Sequence, residues 1–443
     1  MKNFKVHIIH VGNMANKGSQ ALIFSDVYVI RKIVGDDVSI SVSTTDIEGM
    51  RKLGLPLDKI TQPLVDIPYE KADSYARRFG FSRKSFWYKI LGFASFYLMF
   101  VQAFLSVFSI FLSKVGFKPI YRSETIKCMK NCDLIVSYSD ENFKEAASML
   151  PLNIYWVLAW WSMLASRAWE IISARLLNKP VVMFPNSIGP FRTFVGRFLA
   201  KVALNNCCVV LIREPISYEV VNSLNVRAEK ILTSDTSILF SSILNRKSYC
   251  SKERLAIGVS PGIYAFSLSR NAVQDFVLSH AMALDDVIEK YGVDIVFLPH
   301  YVTGFEADDL EICKLIVNNM EHKEKTIIVN TRSVEDFAFW ISQMRMIVSS
   351  KMHPAVIAAS FYVPFVLIAY DHKQYGFALS LGLNDCVLPI NEVSPDTLFS
   401  KIKYVLENRS ALKEALKKHV PRLQNHVKDS IAFALASFMP EIG

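Results

Sequence analysis

Short runs of apolar residues recur along this chain, and longer segments with a helical spacing of apolar residues separate them. The runs are rich in valine, isoleucine and leucine, which is typical of strands buried on both faces of a parallel sheet. In the first half the predicted strands are residues 6–11, 38–43, 134–137, 181–184, 209–212 and 230–232, with helices such as 20–33 and 194–205 between them. This pattern predicts an open parallel sheet covered by helices.

A second set of strands follows a polar stretch around residues 245–254. The predicted strands of this set are residues 256–260, 295–298, 326–329, 346–348 and 365–368. Because 443 residues exceed one ordinary hydrophobic core, two domains are expected. We predict an α/β protein of two Rossmann-like domains that face a cleft, the GT-B architecture. The predicted parts are an N-terminal domain over 1–245, a C-terminal domain over 255–393 and, over 394–443, C-terminal helices that pack back on the first domain.

The last two of these strands flank a short predicted helix, and each strand is followed by a cation and a histidine. The helix is predicted to begin near Pro354, so its free backbone N–H groups and the positive end of its dipole face the residues after the first strand. Residues after the second strand reach the same carboxyl edge, where open parallel sheets bind their ligands. These features predict a phosphate or carboxylate site formed by Ser350, Lys351, His353, Asp371, His372 and Lys373.

Five further motifs follow one another along the chain. They are GNMANKGSQAL at 12–22, PNSIGPF at 185–191, IREPIS at 212–217, SDTSILF around Asp235 and FLPHYVTG around His300. Together with the 347–377 segment they resemble the polysaccharide pyruvyl transferase family over most of the chain. The resemblance implies the GT-B architecture and an enzyme of polysaccharide or exopolysaccharide biosynthesis. It also implies transfer of the pyruvyl group of phosphoenolpyruvate to two sugar hydroxyls as a cyclic ketal, with loss of phosphate.

The sequence departs from the family pattern at two places. Lys351 stands where the family has an arginine, and lysine offers a point charge without the planar fork that binds phosphate in two places. Residues 138–143 stand where the family has a Gly-Gly-Asp-Asn-Tyr-like loop, and both glycines are absent. The backbone freedom that glycine gives such a loop is therefore not expected here.

The resemblance implies that the protein holds a trianionic donor, protonates its methylene carbon and removes protons from sugar hydroxyls. For holding the donor we predict Lys351, Arg213 and Lys373, because fixed cations stabilise the charge on a leaving phosphate. An ion pair of Arg213 with Glu214 or with a helix end is an equally good interpretation. Phosphoenolpyruvate is a co-substrate in this hypothesis, and no cofactor and no metal is expected.

Histidines at strand ends are the candidates for proton transfer, because the ordinary pKa of histidine lies near neutral pH. We predict His353 as the main catalytic residue and His300 as a second one. The alternatives are that His353 only hydrogen-bonds phosphate and that His300 is structural. Asp140 is predicted as the base toward the acceptor sugar, and a helix N-cap explains it equally well. The other residues predicted on the acceptor side are Glu141, Asn142, Asn13, Asn16, Gly18 and Gln20.

Positive charge is concentrated in residues 71–130. This segment has eleven Lys and Arg residues against Asp73 and Glu124, an excess of nine that equals the formal net charge of the whole chain. Because the rest of the chain is balanced, nucleic acid is not expected as a partner, whereas a basic segment around an apolar core indicates an anionic membrane surface. We therefore predict a basic and apolar helical insertion over 71–130.

Residues 90–113 of this insertion carry no charge and form a two-sided pattern. At 100° per residue, one face of a helix holds Phe93, Phe96, Phe100, Phe104, Phe108 and Phe111. The opposite face holds Ser95, Gln102, Ser106, Ser109 and Ser113. We predict an in-plane or re-entrant membrane helix with the phenylalanines in lipid. A buried helix or a subunit contact is the alternative.

The seven cysteines are odd in number and scattered, without metal-ligand spacing. No cleavable signal peptide precedes the first predicted strand, so we expect reduced thiols in a cytoplasmic protein. With the apolar helix, this predicts a peripheral or monotopic protein at the inner face of the cell membrane, acting on a free or lipid-linked glycan. Two other functions fit the sequence: a GT-B glycosyltransferase that uses a nucleotide sugar, and an inactive membrane-bound partner subunit.

Overall fold

Two parallel β-sheets, each covered by helices, form the framework of the protein. The computed structural model describes residues 3–80, 85–145, 154–244, 256–262, 270–303 and 308–439. The strands of the first sheet are β1 (Lys5–Val11), β2 (Ser39–Thr44), β3 (Lys59–Thr61), β4 (Leu134–Ser137), β5 (Val181–Asn186), β6 (Val209–Ile212) and β7 (Glu229–Leu232). They lie in the order β3-β2-β1-β4-β5-β6-β7, and each strand is parallel to its neighbours.

The second sheet repeats this plan with six strands. They are β8 (Ala256–Ser260), β9 (Asp294–Phe297), β10 (Thr326–Ile328), β11 (Met346–Ser349), β12 (Phe365–Ala369) and β13 (Val387–Pro389), in the order β10-β9-β8-β11-β12-β13 and again parallel. The chain reverses its direction of growth between β1 and β4 in one sheet and between β8 and β11 in the other. Open parallel sheets bind ligands at such switch points, so the loops after these four strands are expected to contribute to a binding site.

Helices connect the strands and cover both sheets. They are α1 (Lys17–Val34), α2 (Ile47–Lys52), α3 (Pro68–Phe79), α4 (Phe86–Lys114), α5 (Ser123–Asn131), α6 (Ile154–Leu176), α7 (Phe194–Asn205), α8 (Pro215–Ser223), α9 (Phe240–Ile243), α10 (Arg270–Tyr291), α11 (Asp309–Asn319), α12 (Val334–Ser342), α13 (Met352–Ser360), α14 (His372–Leu381), α15 (Pro395–Glu407) and α16 (Arg409–Ala436). The predicted α/β fold with two Rossmann-like sheets is confirmed.

Local sequence explains where the helices next to the strand ends begin. Asn16 caps α1 by accepting a hydrogen bond from the backbone N–H of Gly18, and Asn13 orders the preceding turn by accepting one from Ala15. Asp371 caps α14 and forms a capping box with Gln374. The helix after β11 begins at Met352, slightly before the predicted start near Pro354.

The two C-terminal helices lie on different sheets. Helix α16 contacts β5, β6 and α1 of the first half and also α13 and α14 of the second half. Helix α15 instead packs against α10 and β12 of the second sheet, because its apolar side chains Leu398, Ile402 and Val405 are buried on that face. The expectation that residues 394–443 pack back on the first domain therefore does not describe α15.

The insertion between β3 and β4 contains α3, α4 and α5, and its long helix α4 is two-sided. Phe93, Phe100, Phe104, Phe108 and Phe111 are exposed, with Phe104 at 73%, whereas the four serines of the opposite face are buried. The predicted sidedness is confirmed for these residues, while Phe96 is half-buried and packs on the core of the first domain. Of the basic residues of this segment, Arg83 and Lys84 lie outside the described residues.

Candidate active site

Side chains that follow strands of both sheets form one polar cluster. Arg213 comes directly after β6, and Asp235 follows β7, where its side chain caps a short 3-10 helix over Thr236–Leu239. From the second sheet, His353 lies in the first turn of α13. The 3-10 helix contacts α13, and this contact brings residues from the two sheets together.

Asp235 lies between Arg213 and His353. Its Oδ2 accepts a hydrogen bond of 2.8 Å from Arg213 Nη1 and lies 3.8 Å from His353 Nε2. Arg213 also donates from Nε to Ser187 Oγ at 2.7 Å. Arg213 is thus in an ion pair, as the alternative interpretation holds, but its partner is Asp235 at the start of the 3-10 helix rather than Glu214, which caps α8.

Burial and charge set the protonation states of this triad. Burial opposes ionisation of Asp235, but Arg213 and His353 hold the pKa of its carboxyl below its ordinary value. Burial also lowers the pKa of His353, with Asp235 acting in the opposite direction and Arg213 in the same direction. A carboxylate between a guanidinium and a neutral imidazole is therefore expected at neutral pH.

Several buried polar atoms of the cluster have no hydrogen-bond partner among the described residues. They are Arg213 Nη2, His353 Nε2 and both ring nitrogens of His300. All three residues are less than a tenth exposed. Because buried polar atoms are almost always hydrogen-bonded, their concentration at one place indicates a binding site for a polar ligand.

His300 follows β9 and lies beside His353. The two rings are nearly parallel, with centroids 6.2 Å apart and an interplanar angle of 14°. Burial, and after it the charge of Lys351, lowers the pKa of His300 well below its ordinary value. His300 is therefore expected to be neutral at neutral pH.

Lys351, the N-cap residue of α13, is held by an ion pair. Its Nζ lies 3.0 Å from Asp309 Oδ1 and over the ring of Tyr301. The other oxygen of Asp309 accepts hydrogen bonds from the backbone N–H groups of His300 and Tyr301. Gly262, after β8, leaves room for the lysine, because a Cβ there would lie 2.2 Å from Lys351 Cε. The lysine stem is thus enclosed while its charge remains in the cluster.

Lys373 links the second domain to the first. Its Nζ lies 2.5 Å from Glu141 Oε2, and Lys144 contacts the same oxygen at 2.8 Å. Burial opposes ionisation of Glu141, but Lys144 and Lys373 hold the pKa of its carboxyl well below the ordinary value. Lys144 also lies 3.8 Å from Asp371 Oδ2. Glu141, predicted on the acceptor side, therefore contacts a residue predicted to bind the donor.

His372 and Ser350 are held by neighbouring protein groups. His372 Nδ1 lies 2.7 Å from Asp371 Oδ1, and Nε2 lies 3.2 Å from Ser217 Oγ. Ser350 Oγ accepts a hydrogen bond of 2.7 Å from the backbone N–H of Gly262. These contacts fix the two loops that carry the neighbouring lysines.

Asp140 and Asn142 follow β4. No helix begins at Asp140 in the described part of this loop, so the N-cap interpretation does not hold there. The negative charge of Asp140 acts to raise the pKa of His353. Asn142 is buried and donates a hydrogen bond of 2.7 Å to Tyr138 O. Asp140 therefore stays a prediction for the base toward the acceptor.

The turn that enters α1 approaches the second domain. A Cβ on Gly18 would lie 2.2 Å from His353 Nδ1, so the glycine permits close contact with the imidazole. Gln20 Oε1 accepts a hydrogen bond of 3.0 Å from the backbone N–H of Val334, which begins α12. The turn predicted on the acceptor side therefore lies against His353, which is predicted for catalysis.

Three charged residues of the cluster had no predicted role in the site. Lys17 lies within the Asn-Lys-Gly segment of the first motif, Lys144 follows the β4 loop, and Asp309 begins α11. The position of Lys17 between Asn16 and Gly18 of the motif could have indicated that it belongs to the site. For Asp309 the sequence indicates only the start of a helix. Within the described residues, no group of three or more His, Cys, Asp or Glu side chains is arranged to hold a metal ion.

Comparison with known proteins identifies the family. The family model described as polysaccharide pyruvyl transferase matches residues 16–372, a span that runs from the cap of α1 to His372. This chain belongs to the polysaccharide pyruvyl transferase family. The match begins after β1 and includes the strands from β2 to β12, so it contains Arg213, Asp235, His300 and His353, whereas Lys373 lies one residue beyond it.

One relative of this pyruvyl transferase family member is the amylovoran biosynthesis protein AmsJ of Erwinia amylovora. The two are 20% identical over 264 residues, which cover 56% of this chain and 63% of AmsJ. The chain thus spans less than two thirds of the length of the curated relative that it matches.

Solved structures share the fold of this family member at low sequence identity. The UDP-GlcNAc 2-epimerase of Neisseria meningitidis bound to UDP-GlcNAc superposes with a TM-score of 0.57 at 10% identity, covering 98% of this chain and all of the epimerase. The spinosyn rhamnosyltransferase SpnG superposes with a TM-score of 0.50 at 9% identity, covering 98% of this chain and all of SpnG. These similarities establish the GT-B-like fold.

Proposed function

We propose that this protein transfers the pyruvyl group of phosphoenolpyruvate to two hydroxyl groups of a glycan in polysaccharide biosynthesis. The observation that carries the proposal is the concentration of orphaned buried polar atoms on Arg213, His353 and His300. These residues follow strands of both sheets. The charges of Lys351 and Lys373 contribute to the lowered pKa of His300, and Lys373 contributes to that of His353. A small anion with several charges satisfies such atoms, and membership of the pyruvyl transferase family supplies the chemistry.

Three cations are assigned to the donor, and each is paired with a carboxylate. The pairs are Arg213 with Asp235, Lys351 with Asp309 and Lys373 with Glu141. Such pairing fixes the cations before the donor binds, so little reorganisation is needed when negative charge develops on the leaving phosphate. Phosphoenolpyruvate is the co-substrate in this proposal, with no further cofactor and no nucleic acid.

His353 is assigned to proton transfer to the methylene carbon. Burial lowers its pKa, so the imidazole is expected to be neutral at neutral pH. A trianionic donor beside Nε2 would favour the imidazolium, and Asp235 at 3.8 Å stabilises the same charge. Donor binding would therefore favour the protonated form of His353, which is the general acid of the proposed reaction.

The proposed reaction balances without an external oxidant or reductant. One sugar hydroxyl adds to C2 of phosphoenolpyruvate while the methylene carbon takes up a proton and becomes a methyl group. The bond between C2 and the phosphate oxygen then breaks, and the second hydroxyl adds to C2 to close the ketal. One hydroxyl proton ends on the methyl carbon and the other on phosphate. Asp140, close enough to influence the pKa of His353, is the proposed base toward the hydroxyls.

We propose a membrane surface as the place of this reaction, with a lipid-linked glycan as acceptor. One described helix, Lys89–Lys114, is long and apolar enough to cross a bilayer, and 28% of its most apolar window is buried. Its polar face, however, is bonded to the protein: Gln102 contacts Asp66 through two hydrogen bonds, and Ser106 accepts one from Trp169. A spanning helix would lose these bonds, so α4 is proposed to lie in the plane of the inner leaflet with its phenylalanines in lipid.

The activity test uses the purified protein with phosphoenolpyruvate and a lipid-linked glycan fraction. Phosphate release and the mass of one added pyruvyl ketal on the glycan are the two readouts. We expect both to depend on phosphoenolpyruvate and to fall by at least about a hundredfold in His353→Gln, because general acid catalysis contributes at least that factor. The matched control is His322→Gln. His322 precedes β10 and so lies at the amino end of a strand, whereas His353 follows the carboxyl end of β11.

The same assay separates the alternatives. Turnover of a nucleotide sugar such as UDP-GlcNAc, with no phosphate release from phosphoenolpyruvate, would favour the glycosyltransferase. Silence with both donors would favour an inactive partner subunit. Phosphate release that is equal in wild type and His353→Gln would remove the assigned role of His353.

A further inference from the structure

Three consecutive residues at the start of α1 contact residues that follow strands of the second domain. Asn16 forms an isolated antiparallel bridge with Tyr301, and the backbone N–H of Lys17 donates to His300 O at 3.3 Å. Gly18 lies against the ring of His353. The N-terminus of an 18-residue helix from the first domain is therefore directed at both histidines of the site.

Lys17 carries the one side chain of this turn that is both cationic and buried. Its residue is 4% exposed, its Nζ donates to Pro299 O at 3.1 Å, and the ammonium lies 5.6 Å from the centroid of Phe337. This is the only hydrogen bond from Nζ within the described residues, so two of its three N–H donors have no partner there. Burying an ammonium with unused donors is unfavourable unless a ligand uses them.

Two further groups beside Lys17 point to a ligand. His300, whose backbone adjoins Pro299, has both ring nitrogens without a partner in the described chain, and His353 has an orphaned Nε2. The charge of Lys17 contributes to the lowered pKa of His300. A buried cation and orphaned imidazole atoms at a helix N-terminus together form a site for an anion.

We propose that Lys17 binds an anionic group of the donor, its phosphate or its carboxylate, from the first domain. This inference rests on the proposed function and adds Lys17 to the residues that bind the donor. The donor is then held from two sides: Lys351 and Lys373 come from the second domain, while Lys17 and Arg213 come from the first. Binding therefore also fixes the two domains relative to each other, which places the acceptor loop after β4 against the donor.

The titration of Lys17 makes the proposal testable by pH. Burial lowers the pKa of Lys17 to about 8, and Asp309 of α11 acts in the opposite direction. The other groups that face it are His300, the ring of Phe337 on α12 and, through His300, Lys351. Since the ammonium is lost as pH rises through about 8, donor binding should weaken between pH 7 and pH 9.

The experiment measures equilibrium binding of phosphoenolpyruvate and of inorganic phosphate to the full chain from pH 7 to pH 9. The variants are Lys17→Gln and Lys17→Arg, and the control is Lys32→Gln in the exposed last turn of the same helix. We expect Lys17→Gln to bind at least about tenfold more weakly at pH 7 and to lose the decline toward pH 9. Lys17→Arg should retain binding without the decline, because arginine stays charged, and Lys32→Gln should behave as wild type.

Each other outcome has a distinct meaning. Unchanged affinity and an unchanged pH profile in Lys17→Gln would overturn the inference and leave the proposed function standing. A loss of affinity that keeps the wild-type pH profile, accompanied by a lower unfolding midpoint, would show that Lys17 only ties the domains through Pro299 and would also overturn it. Wild-type binding of phosphate but not of phosphoenolpyruvate would instead contradict the proposed function, and the phosphate series would still decide the role of Lys17.

Discussion

Gly18 lies so close to His353 that a methyl group on the glycine would be 2.2 Å from Nδ1 and 2.5 Å from Cγ of the imidazole. Gly18→Ala must therefore displace the ring or the turn. We expect phosphate release to fall by at least about tenfold, because a small misplacement of a catalytic group has large effects on rate. The rate with saturating phosphoenolpyruvate is the measurement.

Gly12→Ala is the matched control, since a Cβ at Gly12 meets nothing within 4 Å and its backbone is not in the left-handed region. The control should keep wild-type activity. Equal activity of Gly18→Ala and Gly12→Ala would show that the position of His353 against α1 is unimportant for the reaction.

Asp235→Asn tests the buried ion pair with Arg213. Both residues are at most 2% exposed, and the substitution leaves the guanidinium without its carboxylate. Breaking such a pair by removing one partner is expected to lower the free energy of unfolding by about 3 kcal/mol. Urea unfolding of the variant provides the measurement.

The contrasting variant for this pair is Glu48→Gln, which breaks an exposed ion pair with Lys52 on α2. Exposed pairs contribute little, so no measurable change in unfolding is expected. If Asp235→Asn unfolded like wild type, Asp235 would not be needed to compensate the buried guanidinium.

Asp26 predicts a pH dependence of stability. Burial raises the pKa of its carboxyl from 3.8 to about 7, although hydrogen bonds from Ser139 act in the opposite direction. Because the folded state binds the proton more tightly than the unfolded state, the stabilisation is complete below about pH 4 and is lost as pH rises to about 7. A shift of this size corresponds to a change on the order of 4 kcal/mol in the free energy of unfolding.

The measurement compares Asp26→Asn with wild type by urea unfolding between pH 4 and pH 8. The variant cannot ionise, so the difference between the two curves should shift in favour of the variant as pH rises. A constant difference over this range would mean that Asp26 does not titrate there, and Glu170, whose pKa burial also raises to about 7, would remain as the other carboxyl with this behaviour.

The central strands were predictable because their sequences are unambiguous. Residues 134–137, 209–212 and 256–260 form strands with the predicted bounds, since each is an uncharged apolar run buried in a parallel sheet. The edge strands β3 and β13 escaped prediction. Each has three residues, and pairing with one neighbouring strand, rather than apolar content, defines it.

The sequence predicts candidate residues for the site but not how they pair. Strand topology brings the residues after β11 and β12 to one edge of the second sheet. Arg213 follows β6 of the first sheet, and it joins His353 through Asp235 because the 3-10 helix after β7 contacts α13. The partners of the cations could not be read from the chain. Glu141 and Lys373 are 232 positions apart, and only the docking of one domain on the other decides that this carboxylate meets this lysine.

The exposed phenylalanines of α4 predict binding to anionic vesicles. The triple variant Phe100→Ser, Phe104→Ser and Phe108→Ser removes apolar surface that is exposed in the protein, so folding should be unaffected. Sedimentation with vesicles that contain phosphatidylserine should detect binding of the wild type and at least about tenfold weaker binding of the variant, because each buried phenylalanine contributes about 1.5 to 3 kcal/mol.

The matched control is the triple variant Leu315→Ser, Leu379→Ser and Phe433→Ser. These residues are also apolar and exposed, but they lie on α11, α14 and α16. The control should bind vesicles as wild type does, and both should bind less at high salt because the basic residues around α4 face the lipid charge. Wild type that stays in the supernatant with anionic vesicles would rule out the membrane surface. The phenylalanine face would then be left for a protein partner, since an apolar patch of this extent is unusual on a monomer in water.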